Sequence, residues 1–385
     1  MRTTIQNLQG SQIRQVVNAA LGKPDVLRFW FGESDEVTPQ AVRDAAAQSI
    51  QSGETFYNQN LGIPELREAI AGYMTRLHGD IGVDRIAVTS SGVNALMLSA
   101  QLLIDAGDEV VAVTPVWPNL TQQCVIMGAK LHTVSLTPKN GQWGLDLQKL
   151  LSAVTAKTKL LIINAPNNPT GWTISKDEQQ AILQHCRSTG TWIVADEVYE
   201  RLYYEPTAKA CAPSFLDIAD AEDRLVVAHS FSKTFLMTGW RLGWLVLPPS
   251  ATPHVSKLIE FNTSCAPTFV QRAGVTAIAN ESNITPALVA HFRRCRDTLV
   301  PLLQALPGVH VQPCKGGMYA FFQIEGYQES LPLAKRLVSE AGLGLAPGSA
   351  FAPEGEGWLR WCFASKDVSR LGLGVERLRG WLAQQ

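Results

Sequence analysis

Ser230-Phe231-Ser232-Lys233-Thr234-Phe235-Leu236-Met237-Thr238-Gly239-Trp240-Arg241-Leu242-Gly243 sets one lysine among serine and threonine hydroxyls, with an arginine eight residues after it. A lysine that acts as a nucleophile has to be partly neutral, which calls for surroundings that depress its pKa. A phosphate group calls for small hydroxyl donors and a cation that meets two of its oxygens at once. Ser230, Ser232 and Arg241 supply the second set beside Lys233, the candidate for the first. Alone, each has a plainer use: a loop lysine is a solvated cation, and an arginine is half of a surface ion pair. The surrounding sequence decides between these uses.

Around this run, from about Arg85 to Leu247, short apolar stretches alternate with amphipathic ones. That is the βαβ rhythm of a mainly parallel sheet covered on both faces. Strands are expected at Arg85–Thr89, Glu109–Val113, Lys130–Ser135, Lys159–Asn164, Thr191–Asp196, Arg224–His229 and Leu242–Val246, with helices at Val93–Ala106, Asp146–Val154 and Lys176–Ser188. The expected fold is α/β, a large, mainly parallel seven-stranded sheet sandwiched by helices. Parallel sheets bind ligands outside the carboxyl ends of their strands. Ser91, Asn168, Asp196 and Ser230 fall at or just after such ends, so one site can collect them.

Beyond about Ser264 the pattern shifts to a helix near Val270–Ala279, a long helix near Thr285–Ala305 and short strands at Met318–Gln323 and Trp358–Phe363. That describes a smaller α+β part. The segment before Ala46 holds Pro24 and Pro39 and shows no strong helical period until Gln40, which points to packing on the smaller part. The expected division is 46–264 for the large domain, with 1–45 and 265–385 together forming the small one. A chain of 385 residues exceeds one ordinary core.

Composition excludes several classes. The formal net charge is −1 with no long run of one sign, so no nucleic-acid or polyanion partner is expected. The seven cysteines, Cys124, Cys186, Cys211, Cys265, Cys295, Cys314 and Cys362, show neither paired nor metal-ligand spacing. Neither a disulfide framework nor a metal site is expected, and reduced thiols suit a cytoplasmic protein. The N-terminus lacks the apolar core of a signal peptide and no stretch is long enough to span a bilayer, so no membrane partner is expected.

Further motifs stand in order around the lysine run. Ala195-Asp196-Glu197-Val198-Tyr199 follows an apolar strand, and Asn164-Ala165-Pro166-Asn167-Asn168-Pro169-Thr170-Gly171 is a turn stiffened by proline and glycine. Thr89-Ser90-Ser91-Gly92-Val93-Asn94 joins a strand to a helix whose free N–H groups suit an anion. Phe31-Gly32-Glu33-Ser34-Asp35, Tyr57 with Gly62-Ile63-Pro64-Glu65-Leu66-Arg67, Trp117 between Val116 and Pro118, and Arg360 in Gly357-Trp358-Leu359-Arg360-Trp361-Cys362-Phe363 complete the set. Taken singly, Asp196 is a cap, the asparagine turn an ordinary turn, Ser91 a helix start and Trp117 a core aromatic.

Together and in this order, from about Phe31 to the C-terminus, these residues resemble the class I/II aminotransferases, fold-type-I enzymes that use pyridoxal 5′-phosphate. The resemblance implies that Lys233 binds the cofactor covalently and that Asp196 pairs with its pyridine nitrogen. A buried carboxylate there keeps the nitrogen protonated, so that the ring accepts the electron pair left when the Cα proton departs. Tyr199 and Asn168 are implied to meet the ring 3′-oxygen. Ser91, Gly92, Val93, Ser230, Ser232 and Arg241 are implied to hold the phosphate, together with Tyr57 of a neighbouring subunit in a homodimer with shared active sites. Trp117 takes the stacking position that relatives fill with tyrosine or phenylalanine. Arg360 is implied to fork onto the substrate carboxylate, and Gly32 belongs to the segment that closes over the substrate, where Ser34 replaces the usual proline.

The implied reaction is ping-pong transamination between an amino acid and a 2-oxo acid, with Lys233 moving the proton. The same fold also serves carbon–sulfur β-lyases, which release pyruvate and ammonia without an acceptor, and non-catalytic cofactor sensors fused to a DNA-binding module. No such module is expected before Phe31, so the sensor is the remote reading. Aspartate enzymes of the nearest bacterial subgroup carry lysine where Val93 stands, so apolar or aromatic donors are expected over aspartate. Trp30, Trp117, Trp361, Met318 and Tyr319 are expected to shape that pocket.

Overall fold

The computed structural model describes residues 1–139 and 142–385. Its largest feature is a seven-stranded sheet in the order Ile86–Thr89, Gly243–Val246, Leu225–Ser230, Trp192–Asp196, Thr158–Asn164, Glu109–Thr114 and Lys130–Ser135. All neighbours pair in parallel except Gly243–Val246, which runs antiparallel to both of its partners. The six strands from Ile86–Thr89 to Glu109–Thr114 are rich in valine, isoleucine and leucine and buried on both faces, as strands of a helix-covered sheet are. Each expected strand lies within a residue or so of its place.

One face of the sheet packs beneath helices that include Pro64–His78 and Lys176–Thr189, the other beneath Gly92–Leu103, Pro118–Met127 and Thr252–Asn262. A separate core surrounds a four-stranded antiparallel sheet in the order Val309–Val311, Tyr319–Ile324, Trp358–Cys362 and Ala346–Pro347. The N-terminal segment joins this second core. Helix Gln12–Ala19 buries Ile13 and Val16 in it, and Leu27–Arg28 pairs in parallel with Leu343–Gly344.

The expected boundary at residue 264 cuts across the packing. Val270, Ala273, Ala277 and Ile278 of helix Thr268–Ala279 are buried in the core of the large sheet with Val42 and Ala46. Gln271 of the same helix accepts a hydrogen bond from the Ile63 N–H at 2.8 Å, so its side chain ties this helix to the start of Pro64–His78. Among the described residues, no helix is long and apolar enough to cross a membrane.

Candidate active site

The carboxyl ends of the parallel strands face the four-stranded sheet across a cavity of about 400 Å³. Lys233 reaches it from the short helix Phe231–Thr234, directly after strand Leu225–Ser230. Ser230 caps that helix, its Oγ accepting from the Ser232 N–H at 3.1 Å. Lys233 Nζ donates to the Gly32 carbonyl oxygen at 2.5 Å. Burial depresses its pKa to about 8, with the Arg360 charge pushing the same way and Cys362, Glu33 and Asp196 opposing.

Asp196 ends strand Trp192–Asp196 at 2% exposure and lines the same cavity. Among the described residues, the Val198 N–H, at 3.4 Å, is the only donor to its carboxylate. Burial pushes it up to about 7, against the pull of that N–H and of Lys233. Tyr199 lies one turn on, its hydroxyl 2.7 Å from that of Tyr319, and burial holds its pKa well above the usual range.

Asn168 is aimed from two sides. Its N–H donates to Asn164 Oδ1 at 2.8 Å, while Asn164 Nδ2 donates to the Asp196 carbonyl at 3.0 Å, locking the turn to the neighbouring strand. Arg360, on Trp358–Cys362, donates through Nη1 to Asn168 Oδ1 at 2.7 Å and through Nη2 to the Trp30 carbonyl at 2.5 Å. Its guanidinium stacks against Tyr319 at 4.4 Å and Phe351 at 4.8 Å from the ring centroids.

The opposite end gathers a helix N-terminus, a hydroxyl and a guanidinium. Gly92 and Val93 open helix Gly92–Leu103 towards the cavity, and Ser232 and Arg241 line it with them. Ser91 and Arg241 hold φ of 128° and 55°, strained for residues with side chains. Gly243 has to be glycine, because a Cβ there would stand 2.7 Å from the Gly92 nitrogen. Ser91 is buried behind the wall, its Oγ accepting from the Asn94 N–H at 3.1 Å, so its hydroxyl is a helix cap. Ser230 reaches the cavity with its hydroxyl engaged by Ser232 and the Leu242 carbonyl. Gly32 and Trp117 complete the lining expected from the sequence.

Other placements differ. Tyr57 stands away from the cavity at 89% exposure. Trp361 and Met318 lie in the second core, where Trp361 stacks on Phe29 at 4.7 Å, and Trp30 packs against Gly344; none of the three lines the cavity. Trp361 faces inward because alternate residues of Trp358–Cys362 point to opposite faces, and its neighbour Arg360 takes the cavity side. Tyr319 and Trp117 do line it. Arg14 was not signalled by the sequence, since helix Gln12–Ala19 is short and polar. Its guanidinium lies 4.9 Å from the Phe31 ring at the cavity, without a carboxylate partner among the described residues.

Beneath Asp196 lies a buried ionic group. His78 Nε2 meets Glu200 Oε2 at 2.9 Å and Nδ1 meets Asp217 Oδ1 at 3.1 Å. Burial works against the charge on His78, but Glu200 and Asp217 win and raise its pKa to about 10. Burial takes His229 the other way, to about 4, with the His78 charge pushing down as well and Glu200 opposing; the charges around it, His78 and Arg201 among them, hold Glu200 ionised against its own burial. Glu197, Glu200 and His229 cluster closely enough to suggest a metal, yet Glu197 already accepts from Ser214 and from the Phe215 N–H, and Glu200 from His78.

Residues 24–378 match the family described as aminotransferase class I and II. The aspartate aminotransferase of Pyrococcus horikoshii is 32% identical over 93% of this chain and 91% of its own length. A single mutant of the Thermus thermophilus aspartate aminotransferase superposes with a TM-score of 0.92, at 29% identity and 99% coverage of both chains. An Escherichia coli protein identified as a methionine aminotransferase superposes with a TM-score of 0.91, at 26% identity and 99% coverage of both.

Proposed function

The chain belongs to the class I and II aminotransferases, pyridoxal 5′-phosphate-dependent enzymes acting on amino acids and 2-oxo acids, and from that premise we propose that it favours apolar or aromatic donors over acidic ones. The same proposal makes Lys233 the residue that carries the cofactor and moves the substrate proton.

The observation that carries the assignment of residues is the pairing of Lys233 with Asp196 in one cavity. Lys233 is desolvated enough to be substantially neutral near pH 8, as a nucleophilic amine has to be. Asp196 is a buried carboxylate with one long hydrogen bond, and such a group needs a cationic donor. A protonated pyridine nitrogen meets that need. The anion end, with the helix start at Gly92 and Val93, Ser232 and Arg241, suits a phosphate by the same chemistry. The donor set therefore fits pyridoxal phosphate. When bound, that group supplies a reactive aldehyde carbon and a ring that accepts an electron pair.

The protein's share of the reaction follows from its own atoms. Arg360 orients the donor by its carboxylate, the stacked rings of Tyr319 and Phe351 fixing the guanidinium plane. Lys233 Nζ shares the cavity with Arg360 and would take the Cα proton from a donor held there and return it to the bound group. Asp196 would keep the ring nitrogen of the bound group protonated, and Tyr199 and Asn168 would offer hydrogen bonds to its ring oxygen. Trp117 presents an indole face for stacking.

The donor preference is supported by the walls, where Ile13, Phe31, Val93, Leu96, Trp117 and Val198 are apolar or aromatic. One structural neighbour, the methionine aminotransferase, supports this reading, whereas the Pyrococcus and Thermus relatives are aspartate aminotransferases. We assign Arg14 to an anionic end group of the acceptor, which its place at the cavity and its charge suit. We also propose a homodimer. Phe56 and Tyr57 are 83% and 89% exposed, on a stretch that hydrogen bonds from Asn58 and Thr268 tie to the start of helix Thr268–Ala279, and from this exposed aromatic pair Tyr57 would enter the partner's site. The large sheet with its helices, Thr268–Ala279 included, is proposed as the cofactor domain.

Borohydride reduction of the reconstituted protein followed by peptide mapping tests the central assignment. The expected result is a single cofactor adduct on Lys233; an adduct confined to another lysine overturns it.

A further inference from the structure

Tyr199 and Tyr319 are both buried, and their hydroxyl oxygens lie 2.7 Å apart with the rings edge to face. Among the described residues, each hydroxyl has the other as its only hydrogen-bond partner. Two protons and one shared hydrogen bond leave a choice of direction. If Tyr199 donates, it has no proton left for the cavity, and the Tyr319 proton is stranded against Gly32, where a Cβ would lie 2.0 Å from the Tyr319 oxygen. If Tyr319 donates, both needs are met. The Arg360 guanidinium, 4.4 Å from the Tyr319 ring centroid, favours this second arrangement by making Tyr319 the better proton donor.

We propose that Tyr319 is a positioning residue for the reaction: it donates its phenolic proton to Tyr199 and so turns the Tyr199 O–H into the cavity as a strengthened donor. The inference rests on the cofactor placement proposed above. Hydrogen bonds in series polarise one another, so Tyr199 donates more strongly with Tyr319 behind it. Because Tyr319 also touches Arg360 and Gly32, whose carbonyl accepts from Lys233, the phenol pair ties substrate binding to the ring oxygen and the catalytic lysine.

The test is a pH titration of the visible band of the reconstituted holoenzyme, in the natural protein, Tyr319→Phe, Tyr199→Phe and the double variant. Weakening the donor leaves the ring oxygen more basic, so the proton held near it is released at higher pH. Tyr319→Phe is expected to raise the midpoint by roughly half to one pH unit, the worth of one hydrogen bond, and to lower kcat several-fold with little change in KM. Tyr199→Phe is expected to raise the midpoint further, and the double variant to match Tyr199→Phe alone. An unmoved midpoint in Tyr319→Phe overturns the inference, as does a Tyr319→Phe shift that persists in the Tyr199→Phe background. Absence of any cofactor band in the natural protein overturns the cofactor reading, and this inference with it.

Discussion

Arg360 Nη1 and Asn168 Oδ1 meet at 2.7 Å, joining a strand of the four-stranded sheet to the turn at the carboxyl edge of the large one. The contact sets the guanidinium where a carboxylate can be gripped beside Lys233. It also uses one arm of the arginine's fork, so a lysine at this position loses both the planar grip and the bond to Asn168.

Arg360→Lys is therefore expected to raise KM for every amino donor and lower kcat/KM by about one to two orders of magnitude, the range of a charge-assisted pair. Steady-state kinetics with two unrelated donors checks this. An effect confined to one donor would place Arg360 at the side-chain end of the pocket instead.

Val93 opens the helix at the cavity and lines it with apolar surface. Val93→Lys is expected to raise kcat/KM for aspartate at least about tenfold relative to phenylalanine, since a cation there pairs with a second carboxylate. The ratio of the two specificity constants is the measurement.

Arg14 lies over Phe31 at the same cavity. Arg14→Ala is expected to lower kcat/KM for 2-oxoglutarate about tenfold while leaving pyruvate nearly unchanged, as loss of one charge-assisted contact predicts. Equal losses with both acceptors would assign Arg14 to packing of the N-terminal helix.

His78 gives the stability a defined pH dependence. Its pKa is raised from 6.5 to about 10 in the folded state, so the folded protein holds the proton more tightly. That contribution is fully present below pH 6.5 and is lost as pH rises through 10. His78→Gln removes from buried Glu200 the cation hydrogen-bonded to it and is expected to cost about 3 kcal/mol or more. Melting temperatures of the two proteins should differ most below pH 6.5 and converge towards pH 10; a constant gap would mean that packing, not charge, is lost.

The large sheet is legible in the sequence because its strands are short apolar runs with polar residues at one end, and that end is where ligands gather. Ser230, Asp196 and Asn168 are readable for this reason: each follows a run that can only be a buried strand. The second core is less so. Helix Gln12–Ala19 buries only Ile13 and Val16, so its period is faint, and what brings Arg14 to the cavity is docking against residues more than 300 positions away, as in the bond from Lys335 to Gln15. Trp30, Trp361 and Met318 misled because their types suit a pocket as well as a core; for Trp361 the alternation along Trp358–Cys362 decides, giving the cavity side to Arg360. Helix Thr268–Ala279 lies past the apparent change of pattern yet packs on the first core, through a glutamine that no periodicity singles out.

The most direct test follows the visible band of the cofactor-loaded protein while single amino acids are added without any acceptor. The expected result is loss of the band with phenylalanine, methionine or leucine at concentrations where aspartate acts weakly, one 2-oxo acid formed per site, and return of the band when a 2-oxo acid is supplied. Continuous release of oxo acid and ammonia with the band retained would contradict transamination, and a faster response to aspartate than to every apolar donor would contradict the proposed specificity.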